Sequence, residues 1–437
     1  MAGRESTCRR APTEHAGKER CRTGLSVASS LLSRASSLRA LSHRDFAWLW
    51  TGMLVSNIGT WMETVALGVY VTEVTGKAGW TGGVAALAHL PSLLLAPLGG
   101  ALADRFDRRT FMAVCVCLQG LLAALLTVLA ATGNLTVPWV AAISLLNGAL
   151  NTLVIPCATA LTVAVVPPED LHNALSLDSA QFNLGRIIGP VVAALVLTQA
   201  GIAGALFLNT LSFLAVLLVL AQMSGAVQAV MPKREALWAG IVRGMKLAWE
   251  DSGIALALGT SFFVGLLISP FVGLVPVFAL KVLGGDAATT SLLLTAQGTG
   301  AVLAAFGTGA LVARMGRRGM LEASVLLVGL CSALFWLSPT LPVAMVAMFF
   351  LGAVYLVAFT GLKTVCQART PPELQARVSS LFLLLVNLGY MMGVWGLGML
   401  SDRLGVRPIT AGAALLFFGI VALTRALRPR GLAALGT

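Results

Sequence analysis

Twelve apolar runs, each close to membrane-spanning length and set apart by short polar, glycine or proline breaks, fill most of this 437-residue chain. They fall near 46–70, 80–99, 110–131, 137–166, 175–199, 202–222, 253–280, 291–313, 321–337, 342–362, 378–399 and 409–423. About 20 helical residues cross a hydrocarbon core. No water there bonds to backbone amides, so each run must close its own hydrogen bonds as a helix. The alternation of a membrane β-barrel is absent. The pattern predicts an all-α membrane protein with twelve transmembrane helices in two six-helix halves.

Internal echoes support the halving. GALADRFDRR at 100–109 returns as GALVARMGRR at 309–318, identical at six of ten positions. PPEDLHNALSLDSAQFNLGRIIG from Pro167 returns as PPELQARVSSLFLLLVNLGYMMG from Pro371, keeping PPE and NLGxxxG. The offsets, 209 and 204 residues, are nearly equal. A polar stretch with Lys233, Arg234, Glu235, Arg243, Lys246, Glu250 and Asp251 divides the copies. The expected organisation is a basic disordered cytoplasmic extension at 1–44, a six-helix bundle at 45–222, a cytoplasmic loop at 223–252, a second bundle at 253–427 and a cytoplasmic tail at 428–437. The central loop has room for a short amphipathic helix. Duplicated membrane halves are the plan of many secondary transporters.

Only 11% of residues are charged, yet the net charge is +12; soluble domains carry roughly 25% charged residues. With the N-terminus in the cytoplasm, about 25 of the 30 Lys and Arg fall on that side. Lys77, Lys281, Arg403 and Arg407 fall outside and Arg186 within a span. This is the positive-inside asymmetry, placing both termini in the cytoplasm of a cell membrane. The basic excess thus sets topology and implies no nucleic-acid partner. The first 44 residues carry nine Lys and Arg; they are too polar for a secretory signal and suit contact with anionic headgroups. Seven cysteines show no disulfide frame or metal-ligand spacing. Gly76-Lys77 lacks the glycine spacing of a P-loop, and no catalytic Ser/His/Asp or His-Glu-x-x-His pattern occurs. The chain therefore reads as no enzyme, without cofactor or metal, driven by an ion gradient or by substrate flow.

From about His43 to Leu427 the sequence resembles the major facilitator superfamily. Gly100, Asp104, Arg105, Arg108 and Arg109 match the loop signature G-x-x-x-D-R-x-x-R-R, with Asp107 where glycine is usual. GRIIGPVVAA at 185–194 resembles the fifth-helix antiporter signature through Gly185, Gly189 and Pro190; Ala193 and Ala194 replace its last glycines. SNIGTWMETVALGVYVTEVTG from Ser56 is similar to the opening helix of exporters akin to the enterobactin exporter and macrolide efflux proteins. The resemblance implies alternating access by a monomer in the lipid bilayer, with a small-molecule substrate and protons as coupling ion.

Charge within a span costs about 2.5–3.5 kcal/mol on insertion scales, so each such residue is a functional candidate. Glu63 is the one acidic residue deep in a span. It can load and release a proton or bind a cationic substrate; the alternative is a permanent tie to a partner such as Arg186. Asn57 can share its cavity. Arg186 cannot readily lose its proton, so it pairs with Glu63, meets an anionic substrate group or makes a structural tie. Asp178, two turns before Arg186 and nearer the cytoplasmic end of span five, is a further proton- or substrate-binding candidate. His89, just before Pro91, is a proton-relay candidate or a packing residue. Gln297, Asn387 and Tyr390 are candidates from the second half, and Lys363 reads as snorkelling.

Asp104 can cap or pair with a neighbouring helix terminus. Arg105, Arg108 and Arg109 can pair with it or with carbonyls at the facing end of span eleven, latching the halves. Anchoring to headgroups explains the arginines equally well, but not Asp104, which becomes Ala313 in the second copy. Gly185 and Gly189 allow close helix approach, and Pro190 is expected to kink span five. Together these readings predict a proton-coupled exporter of a drug-like or siderophore-like molecule. An importer, a lysophospholipid flippase, and a non-transporting sensor or intramembrane enzyme are the alternatives.

Overall fold

The computed structural model describes residues 38–103, 107–223, 245–247 and 250–427. Within them the chain is helical, with no strand. The long helices are α1 (Arg44–Thr75), α2 (Ala78–Ala103), α3 (Arg108–Ala131), α4 (Val137–Val165) and α5 (Leu171–Gln222) in the first half. The second half holds α6 (Ser252–Phe263), α7 (Phe271–Val277), α8 (Ala287–Leu337), α9 (Leu341–Ala368), α10 (Gln375–Leu404) and α11 (Val406–Leu427). A π-helical turn, Val264–Ile268, links α6 to α7, and a second, Phe278–Val282, follows α7.

Among the described residues nine helices are long and apolar enough to cross a membrane. Two of them, α5 and α8, hold 52 and 51 residues. At 1.5 Å per residue a straight helix of that length would run to roughly 75 Å, more than twice a hydrocarbon core. Each is broken once, at Gly201 (φ 61°) and Gly316 (φ 71°). Side-chain-bearing residues avoid that left-handed backbone, so glycine sets both break points. They fall in the gaps expected between spans five and six and between eight and nine. Pro190 does not break α5: Gly201 is its one residue with non-helical dihedrals. Pro190 lies inside the helix, with the backbone helical on either side of it.

Residues assigned by sequence to a disordered extension are partly ordered. Arg39–Ser42 form a 3-10 turn, and its Ala40 N–H donates to Asn173 Oδ1 at 2.9 Å. Asp170, 5% exposed, explains the order: a buried carboxylate needs partners. Arg39 lies 3.2 Å and His43 2.9 Å from it. In the second half a comparable tie holds the start of α6, with the carboxylate now on that helix. Asp251, N-cap of α6, accepts from Gly253 and Ile254 N–H and meets Arg369 at the end of α9 at 2.9 Å. The central loop expected at 223–252 lies mostly outside the described residues.

Within the first half α1 packs along α5. The antiporter-like glycines make that approach possible: a Cβ at Gly185 would meet Asn57 Cβ at 2.8 Å, and one at Gly189 would meet Trp61 Cβ at 2.5 Å. The halves meet through α2 against α10 and α5 against α8. Their contacts run from one end of the bundle to its middle. Asp402 bonds to Ala78 and Gly79, Val394 lies against Gly82 and Ile187 against Gly298, and Tyr390 meets His89.

Candidate functional site

Two polar groups of side chains interrupt the apolar interior. The first surrounds Glu63, which is 8% exposed. Asn209 Nδ2, on the part of α5 after the Gly201 break, donates to Glu63 Oε2. Asn147 of α4 stands beside the same carboxylate. Asn209 is itself fixed, its backbone and side-chain oxygens accepting from Ser212 Oγ at 2.7 and 3.2 Å. The carboxyl thus sits among three elements of one half, held by amides rather than by a cation.

Glu63 and Arg186 form no ion pair, which corrects the pairing considered from sequence. Helical geometry is the reason. Trp61 faces α5, its ring 5.6 Å from the Arg186 guanidinium, and a residue two positions on is turned by about 200°. Glu63 therefore points away from the face that Arg186 occupies. Asn57 also faces α5, against Gly185, and no side-chain bond joins it to Glu63.

The second group lies where the halves meet. Arg186 stands fifteen residues from both Leu171 and Gly201, near the middle of its span. Tyr355, midway along α9, is within electrostatic reach of it. Its hydroxyl pairs with Ser269 Oγ at 2.9 Å, at the residue that ends the first π turn, and it lies edge-on to Phe271 at 5.5 Å. Tyr390, midway along α10, meets the exposed His89 edge-on, ring to ring at 5.0 Å. Phe182, edge-on to Trp61 at 6.0 Å, and Phe359, stacked on Tyr355 at 6.3 Å, add apolar walls. Two helices of the first half and two of the second so bring a guanidinium, an imidazole and two phenols to one level.

The remaining candidates scatter. Asp178 accepts from Thr162 Oγ1 at 2.9 Å, a tie between α5 and α4. Gln297 is 1% exposed, and its Nε2 has no bonding partner among the described residues. It precedes the glycine packed on Ile187. Asn387 and Lys363 are half-buried on α10 and α9.

Of the loop signature, Gly100 lies in α2, while Asp104 and Arg105 lie outside the described residues. Arg109 donates to the Ala221 carbonyl at 3.0 Å. That carbonyl ends α5 in the same half, so Arg109 does not join span eleven as expected. A helix end leaves its last carbonyls unpaired, and the guanidinium lies beside them. Arg108, at the start of α3, is half-buried. Asp107, the departure from the signature, caps α3 by accepting from Thr110 N at 2.9 Å; the helix start explains the residue. A surface cleft of about 500 Å³ beside Asp107 and Arg109 holds none of the mid-helix polar groups.

Sequence reading missed Asn147, Asn209 and Asp402. An amide inside an apolar run was the available signal for the first two. Asp402 carried another: GMLSDRLGVR at 398–407 matches GALADRFDRR at Gly, Leu, Asp, Arg and the final Arg. No cluster of metal-ligating residues occurs among the described residues, and the five cysteines there are free.

A profile described as transmembrane secretion effector matches residues 35–434. Macrolide efflux protein A of Streptococcus pyogenes is 23% identical over 391 residues, covering 86% of this chain and 94% of its own. Multidrug efflux pump Tap of Mycolicibacterium fortuitum is 26% identical over 388 residues, covering 85% and 93%. Among solved structures, a nucleoside transporter NupG mutant superposes with a TM-score of 0.75 at 13% identity, over 87% of this chain and 99% of its own. An inward-facing bacterial homologue of the lysosomal transporter Spinster gives 0.70 at 14%, over 90% and 99%. These are transporters, not enzymes; the structural likenesses speak for the fold.

Proposed function

The chain belongs to the transmembrane secretion effector family of major facilitator transporters, and from that premise we propose that it exports a small drug-like or siderophore-like molecule by alternating access, in exchange for protons. The meeting of polar side chains from both halves at mid-helix, Arg186 and His89 with Tyr355 and Tyr390, carries this reading. A site shared by two halves changes its access when they rock. Relatives named for macrolide and multidrug efflux support export.

Twelve crossings follow from the nine apolar helices when α5 and α8 each cross twice, around Gly201 and Gly316, and α1, 32 residues long, crosses once. With both termini in the cytoplasm of the cell membrane, the end joined by Asp402 faces outward and the conformation is closed there. The loop at 100–109 then gates the cytoplasmic end, with Asp104 as its charged partner. Glu63 is the proton site: buried in one half without a cation, it changes charge only by exchanging a proton, and Asn209 and Asn147 register the change.

Everted vesicles test the reading. An acid lumen should drive a small amphiphilic dye into vesicles carrying the native chain, and Glu63→Gln should abolish the dependence on the gradient. Flux into the lumen that ignores the gradient in the native chain would end the proton-exchange reading. Movement only out of the lumen would reverse the direction to import.

A further inference from the structure

We propose that Arg186 recognises an anionic group on the cargo, making the substrate class anionic amphiphiles; this rests on the transport reading above. Three charged side chains lie inside the spans of the first half. Glu63 is engaged by Asn209 and Asn147 and Asp178 by Thr162. Neither forms an ion pair with Arg186. The guanidinium stays charged and has a ring beneath it at 5.6 Å and a phenol within electrostatic reach, but no carboxylate among the described residues. A cation at mid-membrane depth without a counter-ion is costly. Its planar fork suits a carboxylate or phosphate. Trp61 and Phe182 on one half, and Tyr355 and Phe359 on the other, supply surface for an apolar body. A cationic cargo would set like charge against Arg186, whereas an anionic one completes the site from both halves.

The experiment uses the purified full chain in phosphatidylcholine vesicles with three probes on one scaffold: naphthylacetate, naphthylacetamide and naphthylethylammonium. The acid should bind about tenfold more tightly than the amide, the scale of a charge-assisted bidentate contact. Arg186→Gln should erase that preference, and Arg186→Lys, which keeps charge without the fork, should keep part of it. An equal or greater affinity for the amide or the ammonium probe, or an acid preference that survives Arg186→Gln, overturns the proposal. If Arg186→Gln does not fold, Arg186→Lys decides instead: a weakened acid preference supports the proposal and an undiminished one overturns it. Lysophosphatidylglycerol as competitor separates the two sources of the anion: stronger displacement than by free naphthylacetate assigns it to a lipid, weaker to a soluble cargo. Arg186-dependent binding without any flux would sink export and leave recognition standing. Native flux of neutral probes untouched by Arg186→Gln, with no acid preference, would do the reverse.

A separate observation at the end of the bundle carries a second inference. Both oxygens of Asp402, on α10 in the second half, accept from the first N–H groups of α2 in the first: Ala78 N at 2.6 Å and Gly79 N at 3.0 Å. These donors have no partner within their own helix, and the positive helix end favours a carboxylate. We infer that Asp402 is a latch, a helix N-cap supplied across the two halves, at the end opposite the 100–109 loop. The sequence of that latch repeats the loop signature, Gly398-x-x-x-Asp402-Arg403. Opening this end separates Asp402 from α2 and leaves the donors without their cap.

Spin labels at Trp80 and Trp395, on facing helices at this end, report it. Asp402→Ala should raise the open-to-closed ratio about fivefold, the weight of a helix N-cap. Gly79→Ala, whose Cβ would meet Asp402 Oδ2 at 2.7 Å, should shift it the same way from the other partner. A distance distribution unchanged in both variants overturns the latch.

Discussion

At the scale of single residues, Asn209 and Gly189 do different work on the same helix. Asn209 is fully buried, and its amide donates to Glu63. Asn209→Leu leaves that carboxylate one donor short and is expected to cost about 1–3 kcal/mol, the penalty of an unsatisfied buried group. Thermal unfolding in detergent measures it, and an unchanged midpoint would mean that the bond carries no weight. Gly189→Ala places a methyl 2.5 Å from Trp61 Cβ, forcing α1 and α5 apart. Overpacking of this kind costs about 1–3 kcal/mol, and it moves Trp61 relative to Arg186. The variant should lose stability and efflux together in vesicle assays. The motif supplied the glycines; the ring contact that makes them matter comes from the fold.

Helix ends are where charge organises this protein at the scale of elements. α1 is tied to the loop before α5 by Arg39 and His43 on Asp170, while α6 is tied to the end of α9 by Asp251 on Arg369. The two ties use different positions and carry the carboxylate on opposite partners. Partial burial pushes the Asp251 carboxyl up. Bonds from Ile254 N–H and Arg369, with that from Gly253 N–H, outweigh it and hold the group below the usual carboxylate range. A carboxyl lowered in the folded state contributes stability above its unfolded value near 4 and loses it as pH falls through the lowered folded value. Asp251→Asn, which keeps a capping oxygen but loses the charge facing Arg369, should therefore unfold earlier than the native chain from about pH 5 to 8, by up to about 1 kcal/mol, the scale of a partly exposed ion pair. The gap should close on further acidification; a gap independent of pH would remove the charge from the account. At the other candidate gate, Asp104→Asn should slow efflux several-fold while Arg109→Gln, whose guanidinium serves α5 of its own half, should act mainly on stability. Equal effects of the two on transport would reject a special role for Asp104.

For the whole molecule, the twelve crossings proposed above would place both termini on one side. A cytoplasm-active reporter fused after Thr437 should be active and an export-active reporter should not; inversion of that result would overturn the assigned orientation. The apolar runs made the helical membrane fold legible without coordinates, and the motifs at 56–76, 100–109 and 185–194 did the same for the family. Backbone hydrogen bonds in lipid leave only helices, and glycine with positive φ marks where α5 and α8 turn, so local chemistry suffices for those features. Sequence also marked Glu63 and Arg186 as exceptional, because charge in an apolar run is costly wherever the helix goes. It did not place them on opposite faces of their helix pair, because that depends on how α1 rotates against α5. The amides on Glu63, the phenols near Arg186 and the grip of Asp402 on α2 come from residues between 63 and 402 brought together across spans. Such contacts arise from packing between helices, which composition and periodicity within one helix do not encode.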